Sequence, residues 1–276
     1  MSVLHAILLG MLQGLTEFIP VSSTAHLLIG QTLLRIPPGE ATFSFLVIVQ
    51  WGTILSLLIF FWKDLVEILR ATLLSLGPLL KRRGQELDST ARLGWYILLA
   101  TLPALLAGYL LKDAVEALFQ TSLLEAAIRL LTAALLLALA EWLTKKSRSL
   151  TSINWIDALV IGLFQIIAVF PGASRSGTTI AAGMFRGLDR RSAARFAFLM
   201  SIPVMLAAGA YQMLDLLRLP GLTAFLPLLL AGFIAAAIFG WLTVKWLLAY
   251  LNNHSLYVFA VYCAIGGAAC LVFSLL

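Results

Sequence analysis

The chain has 276 residues, of which 61% are hydrophobic and only 12% charged, with a formal net charge of +6 and a mean hydropathy of +1.00. Soluble domains run nearer half apolar and a quarter charged, so this balance excludes a soluble domain and marks an integral membrane protein. The basic excess does not point to nucleic acid, because Lys and Arg gather between apolar runs, where they set orientation in a bilayer.

The opening stretch, "MSVLHAILLGMLQG", has no Lys or Arg before its apolar run and no small-residue cleavage site, so it reads as mature protein rather than a signal peptide. Region 3–34 is apolar but broken at Pro20, with Ser22, Ser23 and Thr24 directly after. Proline stops a helix and Ser or Thr caps the next one, so the region reads as two half-helices. Apolar runs of about 20 residues, enough to span a bilayer, follow at roughly 42–62, 93–111 and 123–143. They are continuous rather than alternating, which excludes a β-barrel and leaves helices. Between the first two, "KDLVEILRATLLSLGPLL" (63–80) reads as an amphipathic helix on the cytoplasmic surface.

Region 153–187 repeats the broken pattern at Pro171-Gly172, and three more spans follow at roughly 194–214, 223–245 and 255–275. Trp62, Trp142 and Trp155 stand at segment ends and read as interfacial belt residues, as do His5 and His254. Cys263 and Cys270 lie about two helical turns apart, too far for a disulfide within one helix, and read as core fillers.

Charge decides how the two broken regions sit. If both are re-entrant, one side holds Lys63, Arg70, Lys81, Arg82, Arg83, Arg92, Lys145, Lys146, Arg148, Arg186, Arg190, Arg191, Arg195 and Lys245, and the other only Arg35, Lys112, Arg129 and Arg218, with Arg175 left inside the second hairpin. The richer side is the cytoplasmic one. Treating both regions as spanning scatters these charges.

The halves also resemble each other. "GMLQGLTEFIPVSS" (10–23) aligns with "GLFQIIAVFPGAS" (162–174), matching Gly10 with Gly162, Gln13 with Gln165 and Phe18 with Phe170, and "FSFLVIVQ" (43–50) aligns with "FAFLMSIP" (196–203). One hairpin plus three spans in each half requires the second half to be inverted. The expected fold is an all-α polytopic membrane protein of six transmembrane helices and two re-entrant hairpins. It is a single membrane domain over 1–276, built as an inverted-topology repeat of about 1–146 and 150–276, with hairpins that meet in the middle.

Charges away from the membrane edge are costly, so Glu17 and Arg175 need a reason to be there. A structural ion pair between the hairpins is one; the surrounding hydroxyls suggest chemistry as well. Gln13 and Glu17 share a helix face and can hold a divalent cation, or Glu17 can act as a base. Ser22, Ser23, Thr24 and His26 open one half-helix, and Ser174, Arg175, Ser176 and Thr179 open the other. Helix N-termini and arginine both suit phosphate. Glu17 and His26 are then available for proton transfer or nucleophile activation beside Ser23. Gln50, within the first span, either faces this site or packs. A nucleotide P-loop is absent.

The stretches "QGLTEFIPVSSTAH" (13–26) and "PGASRSGTT" (171–179) resemble the two motifs of the undecaprenyl-diphosphatase family, bacterial membrane enzymes linked to bacitracin resistance. Chain length, "IVQWGTIL" and the order of spans fit as well. The resemblance implies hydrolysis of undecaprenyl diphosphate, a polyprenyl diphosphate lipid, to the monophosphate carrier of cell-wall precursors. It also implies a divalent cation (Mg²⁺ or Ca²⁺) and a location in the bacterial inner membrane with an extracytoplasmic active site. By motif position the site residues are Gln13, Glu17, Ser23, His26, Ser174, Arg175, Ser176 and Thr179. Two positions depart from the pattern: Gln13 replaces the motif's first acid, and Arg195 stands where an acid is expected.

Both termini fall on the extracytoplasmic side, membrane lipids are the surroundings, and a homo-oligomer is open. Serine attack and direct water attack are both compatible with these residues. The competing class is a secondary transporter or lipid-phosphate flippase built on the same midplane anion site. The base and nucleophile beside the anion clamp favour the enzyme, since transport needs neither.

Overall fold

A computed structural model describes the chain apart from residues 38, 81–86, 112–122, 146, 169–172, 217–221 and 276. Among the described residues there are eleven α-helices and one isolated β-bridge, between Arg148 and Leu188. In chain order they are α1 (Val3–Thr16), α2 (Ser23–Leu33), α3 (Glu40–Phe60), α4 (Trp62–Leu80), α5 (Ser89–Leu110), α6 (Leu123–Leu143), α7 (Trp155–Ile167), α8 (Arg175–Phe185), α9 (Arg190–Leu216), α10 (Leu222–Tyr250) and α11 (Tyr257–Leu275). The expected break at Pro171-Gly172, Phe170, and the charges of Lys81, Arg82, Arg83, Lys112, Lys146 and Arg218 lie outside the described residues.

Six helices are long and apolar enough to cross a membrane: Thr42–Phe60, Ser89–Leu110, Leu123–Leu143, Arg190–Met213, Phe225–Tyr250 and Tyr257–Leu275. Each expected span overlies one of them, and the chain is a multi-pass membrane protein. Two ends differ for local reasons. The second span starts earlier because the Asp88 carboxylate caps it, accepting from the Thr90 N–H at 3.0 Å. The fifth continues past Lys245, whose ammonium lies 5.1 Å from the Trp241 ring centre instead of ending the helix.

One helix sorts its residues by size. On α5, Leu98, Leu102 and Leu106 are exposed while Ala100, Ala104 and Ala107 are buried. Without a hydrophobic drive between helices in lipid, such small inner faces let backbones approach and gain packing contact. Trp62, Trp142 and Trp155 are exposed at their helix ends. The 62–80 helix forms as expected. Its apolar Val66, Leu69, Leu73 and Leu74 are exposed, while Ser75 takes a 2.9 Å hydrogen bond from the Trp95 indole of α5.

The four short helices form two hairpins. Ser23 bonds Glu17 beside the α1–α2 turn, and further along Gly30 lies against Leu12 and Leu9, so α2 returns alongside α1. Asp157, in the first turn of α7, bonds Arg186 just past the end of α8, which brings the open ends of the second hairpin together. Each hairpin's first helix presses on a long helix at a glycine. A Cβ on Gly14 would stand 2.7 Å from the Ala236 carbonyl of α10, and one on Gly162 would stand 2.5 Å from the Ala100 carbonyl of α5.

A charged cluster ties helix ends together at the Arg-rich side. Asp157, with no exposed surface, accepts from Arg148 at 2.6 Å and Arg186 at 2.8 Å. Glu141 accepts two hydrogen bonds from Arg190, at 2.7 and 2.8 Å. Arg195, in the position of an expected acid, donates to Asp64 at 2.8 Å.

Candidate active site

The two hairpin tips meet. Arg175, the first residue of α8, donates to the Glu17 carboxylate just past α1. Ser176 Oγ donates to the Ile19 carbonyl at 3.3 Å, which fastens the second tip to the first. The Glu17 side chain is 7% exposed and that of Arg175 21%. A buried carboxylate without a partner would be costly, and here its lone pairs are filled from three directions. Besides Arg175, Glu17 Oε2 accepts from Ser23 Oγ at 2.6 Å and from Gln13 Nε2 at 2.8 Å. The i, i+4 spacing on α1 is what brings the Gln13 amide to the carboxylate.

Local sequence explains how these groups are held. Ser22 caps α2 from a left-handed backbone, φ 66°, a conformation that costs a non-glycine residue energy and is concentrated at functional turns. Its hydroxyl accepts from the Ala25 N–H at 3.4 Å. Ser174 caps α8, accepting from the Gly177 N–H at 3.2 Å. The first residue of each of these helices, Ser23 and Arg175, reaches the same carboxylate with its side chain.

The remaining candidates divide. His26 is buried on α2; its Nδ1 lies 2.8 Å from the Ser22 carbonyl and its Nε2 2.7 Å from the Tyr262 hydroxyl. Thr179 spends its hydroxyl on the Arg175 carbonyl, 2.8 Å away, and so braces the first turn of α8. Thr24 and Gln50 are partly buried, but their side chains take no part in the hydrogen bonds at Glu17 and Arg175. Gln50 belongs to α3, which packs on α1 and α10.

Three neighbours were not singled out by the sequence. Arg129, counted above only as a charge near one face, is buried within α6. It pairs with Glu125 at 2.7 Å and donates to the Ala173 carbonyl at 3.4 Å, directly before the Ser174 cap. Opposite charges four apart inside an apolar span were the signal available for that pair. Tyr262 is the third, and an aromatic in an apolar run gives no such signal.

Gln13 and Glu17 offer a divalent ion only two side chains. Gln13 Oε1 is buried and has no hydrogen-bond partner, but both Glu17 oxygens are engaged. Hard divalent cations take six or more oxygen ligands, and among the described residues no group of three or more His, Cys, Asp or Glu side chains is placed to hold one. The side chains present do not by themselves fit a metal ion.

Comparison with known proteins covers nearly the whole chain. The family model described as bacitracin resistance protein BacA matches residues 6–269. The undecaprenyl-diphosphatase of Syntrophobacter fumaroxidans is 39% identical over 98% of this chain and 97% of its own length. That of Anaeromyxobacter dehalogenans is 43% identical over 98% and 90%, and that of Mycobacterium leprae 38% identical over 99% and 94%.

Proposed function

The chain belongs to the bacitracin resistance protein BacA family, and from that premise we propose that it is an undecaprenyl-diphosphatase, as its relatives are named. It hydrolyses undecaprenyl diphosphate to undecaprenyl phosphate and inorganic phosphate, recycling the lipid carrier for cell-wall polymers, an activity that fits the family's link to bacitracin resistance. The observation that carries the assignment of its site is the convergence of Arg175, Ser23 and Gln13 on Glu17. A transporter needs an anion clamp but no hydroxyl hydrogen-bonded to a carboxylate beside it.

The diphosphate is drawn to Arg175 and to the N-termini of α2 and α8, where N–H groups and partial positive charge favour phosphate. Arg175 turns from Glu17 to the phosphate oxygens, leaving the carboxylate with Ser23 and Gln13. Ser23 Oγ attacks the terminal phosphorus and its proton passes to Glu17. The bond from that phosphorus to the bridging oxygen breaks, and undecaprenyl phosphate leaves with the electron pair. Water then cleaves the phosphoserine, releasing inorganic phosphate and restoring the hydroxyl. Positioning and charge stabilisation dominate such transfers. The 2.6 Å bond from Ser23 to Glu17 favours serine over direct water attack. Ser22, Ser174, Ser176 and Thr179 shape the two phosphate-facing turns, with Thr24 and Gln50 at their margin.

A Mg²⁺ or Ca²⁺ ion, where the reaction uses one, would take its ligands from diphosphate oxygens and water, with the unpartnered Oε1 of Gln13 as the protein oxygen left to join them. It would neutralise phosphate charge.

The hairpins are re-entrant, entering from opposite faces of the bacterial inner membrane, and the site and both termini are extracytoplasmic. The short lengths of α1, α2, α7 and α8, 11 to 14 residues, support this, since a span needs about 20. Reciprocal packing supports the inverted repeat. Gly10 on α1 meets Gly232 on α10, and its sequence counterpart Gly162 on α7 meets Ala100 on α5.

Phosphate release from undecaprenyl diphosphate by the purified protein, with Mg²⁺, with Ca²⁺ and with a chelator, beside Arg175→Ala, tests the reading. Metal-dependent release that the variant loses is the expected result. No release by folded wild-type protein moves the assignment to lipid-phosphate transport.

A further inference from the structure

His26 makes two ring hydrogen bonds, to partners of different kinds. The Ser22 carbonyl, 2.8 Å from Nδ1, can only accept, so Nδ1 carries a proton. In the neutral ring Nε2 is then the acceptor, and the Tyr262 hydroxyl, 2.7 Å away, donates into it. The two rings stack, with centroids 5.7 Å apart and planes 8° from parallel. This bond joins α2 to α11 across 236 residues of chain, and the neighbouring Cys263 thiol lies 3.9 Å from the Pro20 carbonyl at the hairpin tip. His26 is 9% exposed, whereas Tyr262 is 51% exposed.

Neither ring nitrogen of His26 is bonded to Ser23 or Glu17, and Ser23 is already served by Glu17. The single lone pair of the imidazole is covered by the Tyr262 O–H. While that contact holds, a proton reaches Nε2 of His26 only through the Tyr262 oxygen, which donates its own proton to the ring and has lone pairs left to accept another. We propose that Tyr262 and His26 form a two-step proton relay for the water that enters the reaction, with the Tyr262 hydroxyl as its outer end.

The water donates its proton to the Tyr262 oxygen as the Tyr262 proton passes to His26 Nε2. The imidazolium is held by the Ser22 carbonyl; the water oxygen forms its bond to phosphorus as the bond from phosphorus to Ser23 Oγ breaks, and Ser23 Oγ leaves with the electron pair and takes back the proton held by Glu17. The proton returns along the same path when the product leaves. This assignment rests on the phosphatase reading and adds to it a division of labour: Glu17 serves Ser23, and His26, through Tyr262, serves water.

Tyr262→Phe tests it, because the ring and its stack remain and only the hydroxyl is lost. The expected kcat is lower by about 10²-fold, the low end of what positioned proton transfer contributes, with KM within about twofold. In a His26→Ala background the same change costs nothing further, since the relay is already broken; this non-additivity separates a relay from a structural contact. ¹⁵N spectra of histidine-labelled protein, assigned with His26→Ala, give a reading independent of turnover and of how well Tyr262→Phe folds. His26 in the wild type shows the Nδ1–H tautomer.

Wild-type turnover in Tyr262→Phe, or full additivity with His26→Ala, or an Nε2–H tautomer in the wild type, overturns the relay alone. A folded wild type that releases no phosphate overturns the phosphatase reading, and the relay with it.

Discussion

Glu17 and Arg175 stand 158 positions apart and form a partly buried ion pair where the tips of two helical hairpins meet. In the proposed mechanism one partner binds phosphate and the other takes a proton, so their substitutions should separate kinetically. Arg175→Ala should raise KM and lower kcat by about 10³-fold, the upper range for losing a group that stabilises developing charge. Arg175→Lys keeps the charge without the planar fork and should fall between that variant and wild type. Glu17→Gln should lower kcat by at least about 10²-fold without raising KM, since Arg175 is then released to the diphosphate. Steady-state phosphate release measures both constants. A raised KM in Glu17→Gln would mean that the carboxylate binds rather than acts as a base.

Ser23 donates to Glu17 at 2.6 Å, the geometry of an activated nucleophile. Ser23→Ala should lower kcat by about 10³-fold or more, as removal of a nucleophile generally does. Acid-quenched wild-type reactions should contain a phosphopeptide at Ser23, detected by mass spectrometry. Near-normal turnover in Ser23→Ala with no trapped phosphoserine would transfer the chemistry to direct attack by water.

The spans were legible because lipid demands continuous apolar length, and composition alone supplies that signal. The first hairpin turn was legible for the opposite reason: Pro20 and the serines after it interrupt such a run. Glu17 and Arg175 could be paired in advance because each is a charge without an interface to reach. Arg129 was not placed, since one arginine near a span end reads as a topology signal; only its donation to the Ala173 carbonyl reveals contact with the second tip. Tyr262 was hidden because a half-exposed aromatic is ordinary on a lipid-facing helix, and its hydroxyl acquires meaning only from His26. Gln165 aligns with Gln13 between the two halves of the sequence, yet both polar atoms of its buried amide lack partners, so that likeness in sequence does not extend to bonding.

Glycine at the hairpin contacts makes a prediction about stability. In Gly162→Val the new carbons would collide with the Ala100 carbonyl, where a Cβ alone would already stand at 2.5 Å. Backbone cannot yield as a side chain does, so the cost should reach at least the roughly 1–3 kcal/mol of overpacking, with a lower Tm in detergent. Gly10→Val should behave alike against Gly232. Gly108→Ala on α5 meets nothing within 4 Å and should hold or raise Tm, given alanine's higher helix propensity. Equal losses at Gly108 and Gly162 would argue against backbone contact as the cause.

Asp157 should make the fold acid-sensitive from the Arg-rich end of the molecule. Burial by itself would push its carboxyl pKa up, but hydrogen bonds from Arg148 and Arg186 and from the Asn154 N–H outweigh this and hold it below the ordinary carboxylate value. A group whose folded pKa is lowered contributes stability that is complete above its unfolded pKa, about 3.9, and is lost as pH falls through the folded value. Wild-type Tm should therefore hold this contribution at neutral pH and lose it below about pH 4. Asp157→Asn leaves two arginines facing an uncharged amide and should cost about 3–5 kcal/mol at pH 7. Because the capping box of α7 also uses this side chain, the second hairpin should loosen before the six spans do. Thermal melting of both proteins from pH 7 to pH 3, followed by tryptophan fluorescence with Trp155 beside the substituted position, measures the difference. The gap in Tm should narrow as the wild-type carboxylate becomes protonated; a gap that stays constant to pH 3 would show that packing, and not charge, accounts for the stability Asp157 contributes.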